Sequence, residues 1–383
     1  MNNDEKALLL HEKWQGKLET KVKSHISTRE DLALAYTPGV AQPCIKIAEH
    51  KEDVYKYTSK ANTIAVVTDG SAVLGLGNIG PEAAMPVMEG KAAIFKEFAG
   101  INAVPICLDT QNTDEIISSI KNMATTFGGI NLEDISAPRC FEIEKRLNDL
   151  LDIPVFHDDQ HGTAIVVLAA IINALKVTGK DKEKCRVVIS GAGAAGIAIT
   201  KILYRYGFKD IIVCSTKGII NSRLHCLNIA QMELLNITNK FDIYGTLADA
   251  LSGADIFIGV SAPGIVTSEM ASKMNKDAII FAMANPVPEI MPDDAKASGA
   301  LIVCTGRSDY PNQVNNVLAF PGVFKGALEG RAKQIDDNMK VAAAHAIAAL
   351  IPDEELNENN ILPEAFDPRV VEAVSNAVKE HIK

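Results

Sequence analysis

Apolar runs and helical patterns alternate between residues 60 and 157. Four runs bounded by turn-forming residues are predicted as buried strands, at 63–67, 104–108, 130–135 and 153–156. Apolar residues recur at three- to four-residue spacing in the segments between them, as in amphipathic helices. These helices are predicted at 85–98, 114–127 and 141–150. Strands that alternate with helices predict a mostly parallel sheet with helices on both faces.

A second alternating pattern begins at residue 186. A strand at 186–190 is followed by a glycine-rich turn, a helix at 197–206 and a strand at 210–214. This strand–helix–strand unit of about 30 residues is typical of a dinucleotide-binding fold. A helix and three further strands are predicted after it, at 246–251, 254–260, 278–283 and 301–305.

Helical patterns also flank these two regions. The first 30 residues are charged, with an apolar side formed by Leu8, Leu9, Leu10 and Trp14. A short amphipathic segment so far from any core is expected to pack on a partner subunit. Two more helices are predicted at the other end, at 336–351 and 368–382.

The patterns together predict an α/β protein of two domains. Residues 1–160 form an N-terminal, mostly parallel α/β catalytic domain. Residues 161–383 form a C-terminal Rossmann-type dinucleotide-binding domain. At 383 residues the chain is long enough for two cores, and helices flank both termini.

Composition and charge argue against several classes of function. The chain is 47% hydrophobic and 22% charged, as in ordinary globular proteins, and its net charge is −10. Because no basic cluster offsets that charge, we expect no nucleic-acid partner. The charged N-terminus lacks the apolar core of a signal peptide, and the apolar run at 163–175 is too short to span a membrane. We therefore expect a cytoplasmic protein without membrane contact.

The cysteines point to the same compartment. They are odd in number and never spaced as Cys-x-x-Cys, which argues against a disulfide framework or a zinc site. We predict that all seven are reduced and mostly buried: Cys44, Cys107, Cys140, Cys185, Cys214, Cys226 and Cys304.

The glycine-rich turn after the strand at 186–190 is the candidate dinucleotide site. Glycines permit a tight turn and close backbone approach, and the N-terminus of the next helix supplies amides for a pyrophosphate. The predicted cofactor-binding residues of this turn are Gly191, Gly193, Ala194, Ala195 and Gly196. A second match, at 75–80, is followed at once by Pro81, and no second strand after it carries an acidic residue at the right distance, so it is predicted as a loop that approaches a ligand or another subunit.

The end of the strand at 210–214 bears on cofactor choice. An acidic residue there would bind a ribose 2′-hydroxyl, but the chain reads Ser215-Thr216-Lys217. These side chains repel no 2′-phosphate and are predicted to bind one, so NAD or NADP is expected. Ser261 and Asn285 follow later strands and are predicted to lie near the nicotinamide.

Two pairs of carboxylates carry the candidate chemistry. Asp158 and Asp159 follow the strand at 153–156 and precede a buried helix, while Glu133 and Asp134 end an earlier strand. Carboxylates at strand ends suit a hard cation or acid–base chemistry. A salt-bridged loop or a helix N-cap is the alternative for the Asp158-Asp159 pair.

Three further residues have both a functional and an ordinary interpretation. Lys91 lies among small and apolar neighbours, where burial would lower its pKa and make it a base, although a solvated helix face is the usual place for lysine. Tyr36 precedes the turn at Pro38-Gly39 and could equally be a core or surface aromatic. Asn315 could equally be a turn residue.

Taken together, the motifs resemble malic enzyme in its short bacterial form. They occur in the family's order over about residues 30 to 330: Ala35-Tyr-Thr-Pro-Gly-Val40, Thr68-Asp-Gly70, Leu74-Gly-Leu-Gly-Asn-Ile-Gly80, Met88-Glu-Gly-Lys-Ala-Ala93, Glu133-Asp134, Phe156-His-Asp-Asp-Gln-His-Gly-Thr-Ala164, Gly191-Ala-Gly-Ala-Ala-Gly196, Asn285-Pro286 and Asn315-Asn316. Each motif alone is weak, but their joint specificity is high.

The resemblance implies oxidative decarboxylation of (S)-malate to pyruvate and CO2, with reduction of NAD(P) and a need for Mn2+ or Mg2+. By this analogy the metal ligands are Glu133, Asp134 and Asp159, and oxygen-only ligation independently favours such cations. His157 and His161 would suggest zinc, but the surrounding carboxylates argue against it.

The same resemblance implies the remaining roles. Lys91 matches the general base that takes the proton of the malate hydroxyl, and Asp158 would orient it. Tyr36 matches the acid that protonates enolpyruvate. Asn285 and Asn315 match positions that hold substrate and nicotinamide, and with Tyr36 and Lys91 they form the predicted substrate site.

The chain departs from the family in two places. Longer relatives carry an arginine after the Asp-Gly turn to grip a malate carboxylate, where this chain has Ser71-Ala72-Val73. Carboxylate recognition would then fall to the glycine-rich loop, Asn315 or the metal. The chain ends at Lys383, so the phosphotransacetylase-like extension of larger forms, and its regulation, are not expected.

The alternatives are a catalytically silent dinucleotide-binding protein, such as a redox sensor, and a different α/β dehydrogenase. Neither would need the three acidic residues beside Lys91. We expect a homodimer, in which a site containing Tyr36 and Lys91 is completed by the partner chain.

Overall fold

The chain folds around two mainly parallel sheets that share a layer of helices. The computed structural model describes residues 3–225 and 227–382, so Met1, Asn2, Cys226 and Lys383 lie outside the description. The strands are β1 (Thr63–Thr68), β2 (Asn102–Cys107), β3 (Gly129–Leu132), β4 (Val155–His157), β5 (Arg186–Ser190), β6 (Asp210–Ser215), β7 (Gly218–Ile219), β8 (Ile256–Gly259), β9 (Ala278–Ala282) and β10 (Ala300–Thr305).

The helices are numbered separately in chain order. They are α1 (Asn3–Trp14), α2 (Arg29–Ala35), α3 (Ala41–Glu49), α4 (Val54–Tyr57), α5 (Pro81–Ala99), α6 (Thr113–Met123), α7 (Arg139–Leu150), α8 (Asp158–Thr178), α9 (Ala194–Tyr206), α10 (Ile229–Leu234), α11 (Leu247–Leu251), α12 (Ser268–Ala271), α13 (Pro292–Ala297), α14 (Phe320–Glu329), α15 (Asp337–Ala348) and α16 (Arg369–Glu380). Short 3-10 helices lie at Lys51–Asp53, Ser59–Asn62, Leu74–Leu76, Ala124–Thr126, Asn316–Leu318 and Asp353–Glu355.

The first sheet has the strand order β2-β1-β3-β4, and all its pairings are parallel. Strands β1, β3 and β4 are buried on both faces, as continuous apolar runs predict, whereas the edge strand β2 is only partly buried. Along β1, Ile64 and Val66 pack with the core that contains α5, whereas Ala65 and Val67 pack with the core of α6 and α7. The predicted parallel sheet covered on both faces is confirmed.

The second sheet has the order β10-β9-β8-β5-β6-β7. The first five strands are parallel and include the predicted unit β5–α9–β6. The short strand β7 pairs antiparallel with β6 through Cys214 and Ile219, and it was not predicted because two residues carry no periodicity. This sheet is the Rossmann-type half of the predicted α/β fold, which is confirmed.

Helix α8 begins earlier than the sequence pattern indicates. Asp158 and Asp159 directly follow β4, as predicted, but they form the first turn of α8 where they were expected to precede the helix. Carboxylates are favourable at a helix N-terminus, which explains why a polar stretch continues the helix. The predicted domain boundary at residue 160 falls inside α8 and stays a prediction. Although α8 is long and apolar enough to cross a membrane, most of it is buried inside the protein.

Helix α14 returns from the C-terminal part of the chain to the first sheet. The rings of Phe320 and Phe324 lie 4.8 and 5.4 Å from the ring of Phe95 on α5, and Phe324 lies 5.7 Å from Phe156 on β4. These edge-to-face contacts join the two regions into one hydrophobic core. One face of the first sheet is therefore covered by Phe320 and Phe324, more than 160 positions after its last strand, which ends at His157.

The N-terminal segment makes no core of its own. No residue from Asp4 to Ser59 is buried, and α1 exposes Leu8, Leu9 and Trp14 by 74, 51 and 49%. A run of helices with exposed apolar side chains needs another surface to cover it. The six cysteines that the structure describes are free thiols, and the prediction for Cys226 lies outside the described residues.

Candidate active site

The Lys91 ammonium lies at the point where helices α5, α8 and α14 meet. On α5, Lys91 shares the buried face with Met88 and Phe95, and only 8% of it is exposed. Its Nζ lies 2.6 Å from Asp158 Oδ2 and 2.8 Å from Glu133 Oε1. Asp158 comes from the first turn of α8 and Glu133 directly follows β3, so three elements converge on one charge.

The pKa of Lys91 moves in the opposite direction to the one we expected. Burial opposes the ammonium charge, but the nearby Asp158 and Glu133 carboxylates outweigh it and raise the pKa of Lys91 above its usual value. The expectation of a lowered pKa was wrong because it considered burial without the two carboxylates. As arranged here, Lys91 is a charged hydrogen-bond donor.

Three residues that the sequence analysis missed complete this environment. Asn316 Nδ2 donates a hydrogen bond to Asp158 Oδ2, and Asn131 Nδ2 donates one to Glu133 Oε2 at 2.8 Å. The Lys91 Nζ also lies 4.0 Å from the centre of the Phe320 ring. Asn316 belongs to the Asn315-Asn316 motif, but only the fold shows that Asn316 reaches this site.

The predicted metal ligands lie on adjoining turns. Asp159 Oδ2 accepts a hydrogen bond from the backbone N–H of Asp134 at 2.8 Å. Asp134 is buried, has a φ of 53° and leaves its Oδ2 without a hydrogen-bond partner. Glu133 contacts Lys91, as described above, so the three carboxylates are neighbours held by different partners.

The chemistry of these carboxylates fits a hard divalent cation. Burial and the repulsion between neighbouring carboxylates raise the pKa of Asp134 to about 8, and burial raises that of Asp159 to about 6. A cation would relieve that repulsion and would satisfy the partnerless Asp134 oxygen. Within residues 3–225 and 227–382, however, no three His, Cys, Asp or Glu side chains are grouped as metal ligands.

Glu144 of α7 holds the start of α8, which carries Asp158 and Asp159. Its carboxylate accepts hydrogen bonds from His157 N at 2.8 Å and from Gln160 Nε2 at 3.4 Å, and it pairs with His161 Nε2 at 2.9 Å. Burial alone would raise the pKa of Glu144, but His161 outweighs it and holds that pKa at about 2. Glu144 therefore fixes the backbone that presents Asp158 and Asp159.

A mostly apolar cavity of about 810 Å3 lies between α7, α9 and α10. It reaches Glu144, Gln160 and His161 but is not lined by Lys91, Asp158 or Asp159. The polar cluster around Lys91 is therefore separate from this cavity.

The glycine-rich turn has the geometry of a dinucleotide loop. Gly191 has a φ of +110°, and a β-carbon there would overlap the Val260 carbonyl, so only glycine fits. Helix α9 begins at Ala194, directly after Gly193. At the end of β6, Ser215 Oγ accepts a hydrogen bond from Lys217 N at 3.1 Å, and Thr216 and Lys217 are exposed.

The predicted nicotinamide and substrate residues are distributed over three loops. Ser261 follows β8 and its Oγ lies 3.1 Å from Ser190 Oγ, while Asn285 follows β9 and is exposed. Asn315 caps the Asn316–Leu318 turn by accepting from Val317 N at 3.1 Å. Its side chain therefore has the turn role left open as an alternative, and the neighbouring Asn316 contacts Asp158.

Tyr36 is not buried with the other predicted catalytic residues. It follows α2 in the N-terminal segment and is 63% exposed, whereas Lys91 and Asp158 are buried. A single chain therefore brings together Lys91, Asp158 and Glu133 but leaves Tyr36 at the surface.

Two family models match almost the whole chain. The model described as malic enzyme, N-terminal domain, matches residues 15–148, and that described as malic enzyme, NAD binding domain, matches residues 160–382.

Individual relatives give the same result. The chain is 56% identical to the bifunctional malic/malolactic enzyme of Bacillus subtilis over 99% of this chain and 92% of that protein. It is 56% identical to the NAD-dependent malic enzyme of Geobacillus stearothermophilus over 99% of this chain and 79% of the relative. The crystal structure of the NAD-dependent malic enzyme from Thermotoga maritima superposes with a TM-score of 0.95 and 52% identity, covering 97% of this chain and 98% of that one.

Replacing Glu144 by alanine removes the acceptor shared by His157, Gln160 and His161. We expect the free energy of unfolding at pH 7 to fall by roughly 3 kcal/mol, measured by urea denaturation. Because the pKa of Glu144 lies at about 2, below the ordinary 4.5, its contribution is complete above that ordinary value and is lost as pH falls through the lowered one. The difference from wild type should therefore begin to shrink below about pH 5.

Glu142→Ala on the same helix is the matched control. The Glu142 side chain is 58% exposed and forms an ion pair with Arg146 at 2.9 Å on the same helix. Its removal should change the free energy of unfolding by less than about 0.5 kcal/mol. Equal losses in the two variants would contradict the role of Glu144.

Proposed function

This chain belongs to the malic enzyme family, and on that premise we propose that it converts (S)-malate to pyruvate and CO2. The reaction transfers a hydride from malate to NAD+ or NADP+ and releases no net proton, since the proton taken from the hydroxyl is balanced by the one added to the enol carbon. The observation that carries the proposal is the buried Lys91–Asp158–Glu133 group beside Asp134 and Asp159. A catalytically silent dinucleotide-binding protein would not need such a group. We expect the reaction to take place in the cytoplasm.

In the proposed mechanism, Lys91 handles the proton of the malate hydroxyl. Its nitrogen lies 2.6 Å from Asp158 and 2.8 Å from Glu133. These two contacts would fix its position relative to the hydroxyl oxygen of bound malate. Asp158 orients the lysine, and Asn316 in turn holds Asp158. Lys91 must release its own proton before it acts as a base, because the two carboxylates favour the charged form.

Glu133, Asp134 and Asp159 would hold Mn2+ or Mg2+ in this proposal. Bound there, the cation would supply Lewis-acid polarisation of the 2-keto oxygen during loss of CO2. The support is an oxygen-only donor set with a partnerless buried Asp134 oxygen.

Tyr36 supplies the proton for the enol carbon in this scheme, and we propose that it does so in a homodimer. The exposed N-terminal segment supports this, since it leaves Leu32 and Leu34 uncovered beside Tyr36. Each site would then combine Lys91 of one chain with Tyr36 of the partner subunit.

The dinucleotide would bind along the carboxyl ends of the second sheet. Gly191, Gly193, Ala194, Ala195 and Gly196 would cradle its pyrophosphate. Ser215, Thr216 and Lys217 would surround the ribose, where no acidic side chain opposes a 2′-phosphate. Ser261, Asn285 and Asn315 would lie by the nicotinamide and substrate.

A second candidate activity is suggested by the Bacillus subtilis relative, which is a bifunctional malic/malolactic enzyme. Such an activity would release CO2 and lactate with no net dinucleotide reduction. The same buried acid–base group could serve either outcome, so the products decide between them.

Purified protein is tested with malate, NAD+ or NADP+, and Mn2+ or Mg2+. We expect malate-dependent reduction of at least one dinucleotide, with pyruvate formed in equal amount. EDTA should abolish the reaction and added Mn2+ should restore it, since the carboxylates supply no Lewis acid themselves. Reduction that survives complete metal removal would contradict the mechanism, and lactate without reduced dinucleotide would favour the malolactic alternative.

Lys91→Ala and Tyr36→Phe test whether the site is shared between chains. Each variant alone should lose most malate oxidation while retaining dinucleotide binding. Co-expressed variants should regain about a quarter of wild-type turnover, because half of the dimers carry one site with both residues intact. Turnover of the mixed dimers is measured against each homodimer.

Complementation depends on where the two residues meet. If each site took both residues from one chain, every site in the mixture would be defective and no activity would return. Tyr244→Phe is the control for tyrosine substitution, because Tyr244 is 68% exposed in the other half of the chain. Its malate oxidation should match wild type.

Ser215→Asp tests the proposed ribose site. A carboxylate at the end of β6 would repel a 2′-phosphate and accept a hydrogen bond from a 2′-hydroxyl. We expect KM for NADP+ to rise about tenfold relative to KM for NAD+. Ser268→Asp adds the same charge at an exposed serine of α12 and should leave the ratio unchanged. An unchanged ratio in Ser215→Asp would contradict the assignment.

A further inference from the structure

A fully buried carboxylate, that of Glu289, joins the loops that follow β8 and β9. Glu289 Oε1 accepts a hydrogen bond from Ser261 N at 2.8 Å, and Oε2 accepts one from Ala284 N at 2.9 Å. Ser261 Oγ donates a third hydrogen bond to Oε1 at 3.3 Å. The two loops therefore depend on one side chain.

The fold leaves a space for this carboxylate between two strand ends. β8 and β9 are parallel neighbours, and Gly259 at the end of β8 lies opposite Ala282. A β-carbon at Gly259 would overlap the carboxyl carbon of Glu289, which is 0% exposed. The glycine thus provides the room that the carboxylate occupies.

Glu289 is held by hydrogen bonds alone. No Lys, Arg or His within residues 3–225 and 227–382 forms a salt bridge with it. A buried carboxylate without a cation is unfavourable unless donors satisfy it, and an apolar side chain would fill the same space at lower cost. The hydrogen bonds of Glu289 to both loops therefore suggest that its role is to hold these loops.

The loops carry two of the residues assigned to the nicotinamide end of the dinucleotide. Ser261 bonds to Glu289 directly, and Asn285 is the neighbour of Ala284. Both residues are exposed at the carboxyl ends of adjacent parallel strands, where ligands of such sheets bind.

We propose that Glu289 is a positioning residue for dinucleotide binding. By accepting from both loops at once, it sets the separation between Ser261 and Asn285, and so the width of the nicotinamide site. This inference rests on the proposed function, because it takes the dinucleotide as the ligand of these strand ends. It adds a residue that touches neither substrate nor cofactor.

Glu289→Gln is the main test. Glutamine offers one acceptor and one donor, so one of the two loop N–H groups would face another donor. We expect the Kd of NADH or NADPH, measured by nicotinamide fluorescence without malate, to rise about tenfold. KM for the matching oxidised dinucleotide should rise to the same extent. Oxaloacetate decarboxylation with Mn2+, which needs the Lys91 site but no hydride transfer, should stay near the wild-type rate.

Two further variants separate positioning from general stability. Glu289→Asp keeps the charge but reaches less far, so its Kd should fall between those of wild type and Glu289→Gln. If Glu289→Gln fails to fold, the dinucleotide Kd of Glu289→Asp is compared with that of wild type instead. Asn173→Ala removes another fully buried side chain, which donates to Ala348 O at 2.9 Å and Ile361 O at 3.1 Å. Its Tm should fall while its dinucleotide Kd is unchanged.

The outcomes are distinct. Unchanged Kd for NADH and NADPH in Glu289→Gln, or an equal fall of dinucleotide binding and oxaloacetate decarboxylation, would overturn the inference. Failure of the proposed function would appear elsewhere, as wild-type protein that binds dinucleotide but does not oxidise malate. The binding measurements would still decide the role of Glu289 in that case.

Discussion

The buried positive charge of Lys91 sets the conditions under which the two parts of the chain meet. An ammonium removed from water is stable only if anionic partners are placed within a few ångströms of it. Here they come from the ends of β3 and β4, while Phe320 of the C-terminal part covers the charge. The charge balance, the first sheet and helix α14 therefore depend on one another. A shift in any of them would expose Lys91 to water or leave its charge without carboxylate partners.

Much of this arrangement follows from local sequence patterns. The β5–α9–β6 unit and the helix that carries Lys91 lie where periodicity and glycine spacing predict them. The early start of α8 does not, because Asp158 and Asp159 are polar and interrupt the apolar period. The sign of the Lys91 pKa shift was also missed, since it depends on carboxylates from other elements that no local pattern brings together.

The residues that hold the site in place were harder to predict than those expected to react. Glu144 and Glu289 lie outside the acidic motifs of the sequence; Glu144 bonds to the start of α8, and Glu289 bonds to two loops. An isolated glutamate in a sequence is usually a solvated side chain, so only burial and hydrogen bonds distinguish these two. Similarly, the complete lack of buried residues from Asp4 to Ser59 became evident only from the structure.

The aromatic contacts of α14 have a consequence for how the protein forms during synthesis. The last strand of the first sheet ends at His157, but Phe320 and Phe324, which cover one face of that sheet, are made much later. A chain still on the ribosome with only its first half exposed would present Phe95 and Phe156 to water. The N-terminal half therefore depends on α14 to cover its sheet, and Lys91 acquires its covered, low-water environment only after Phe320 has been made.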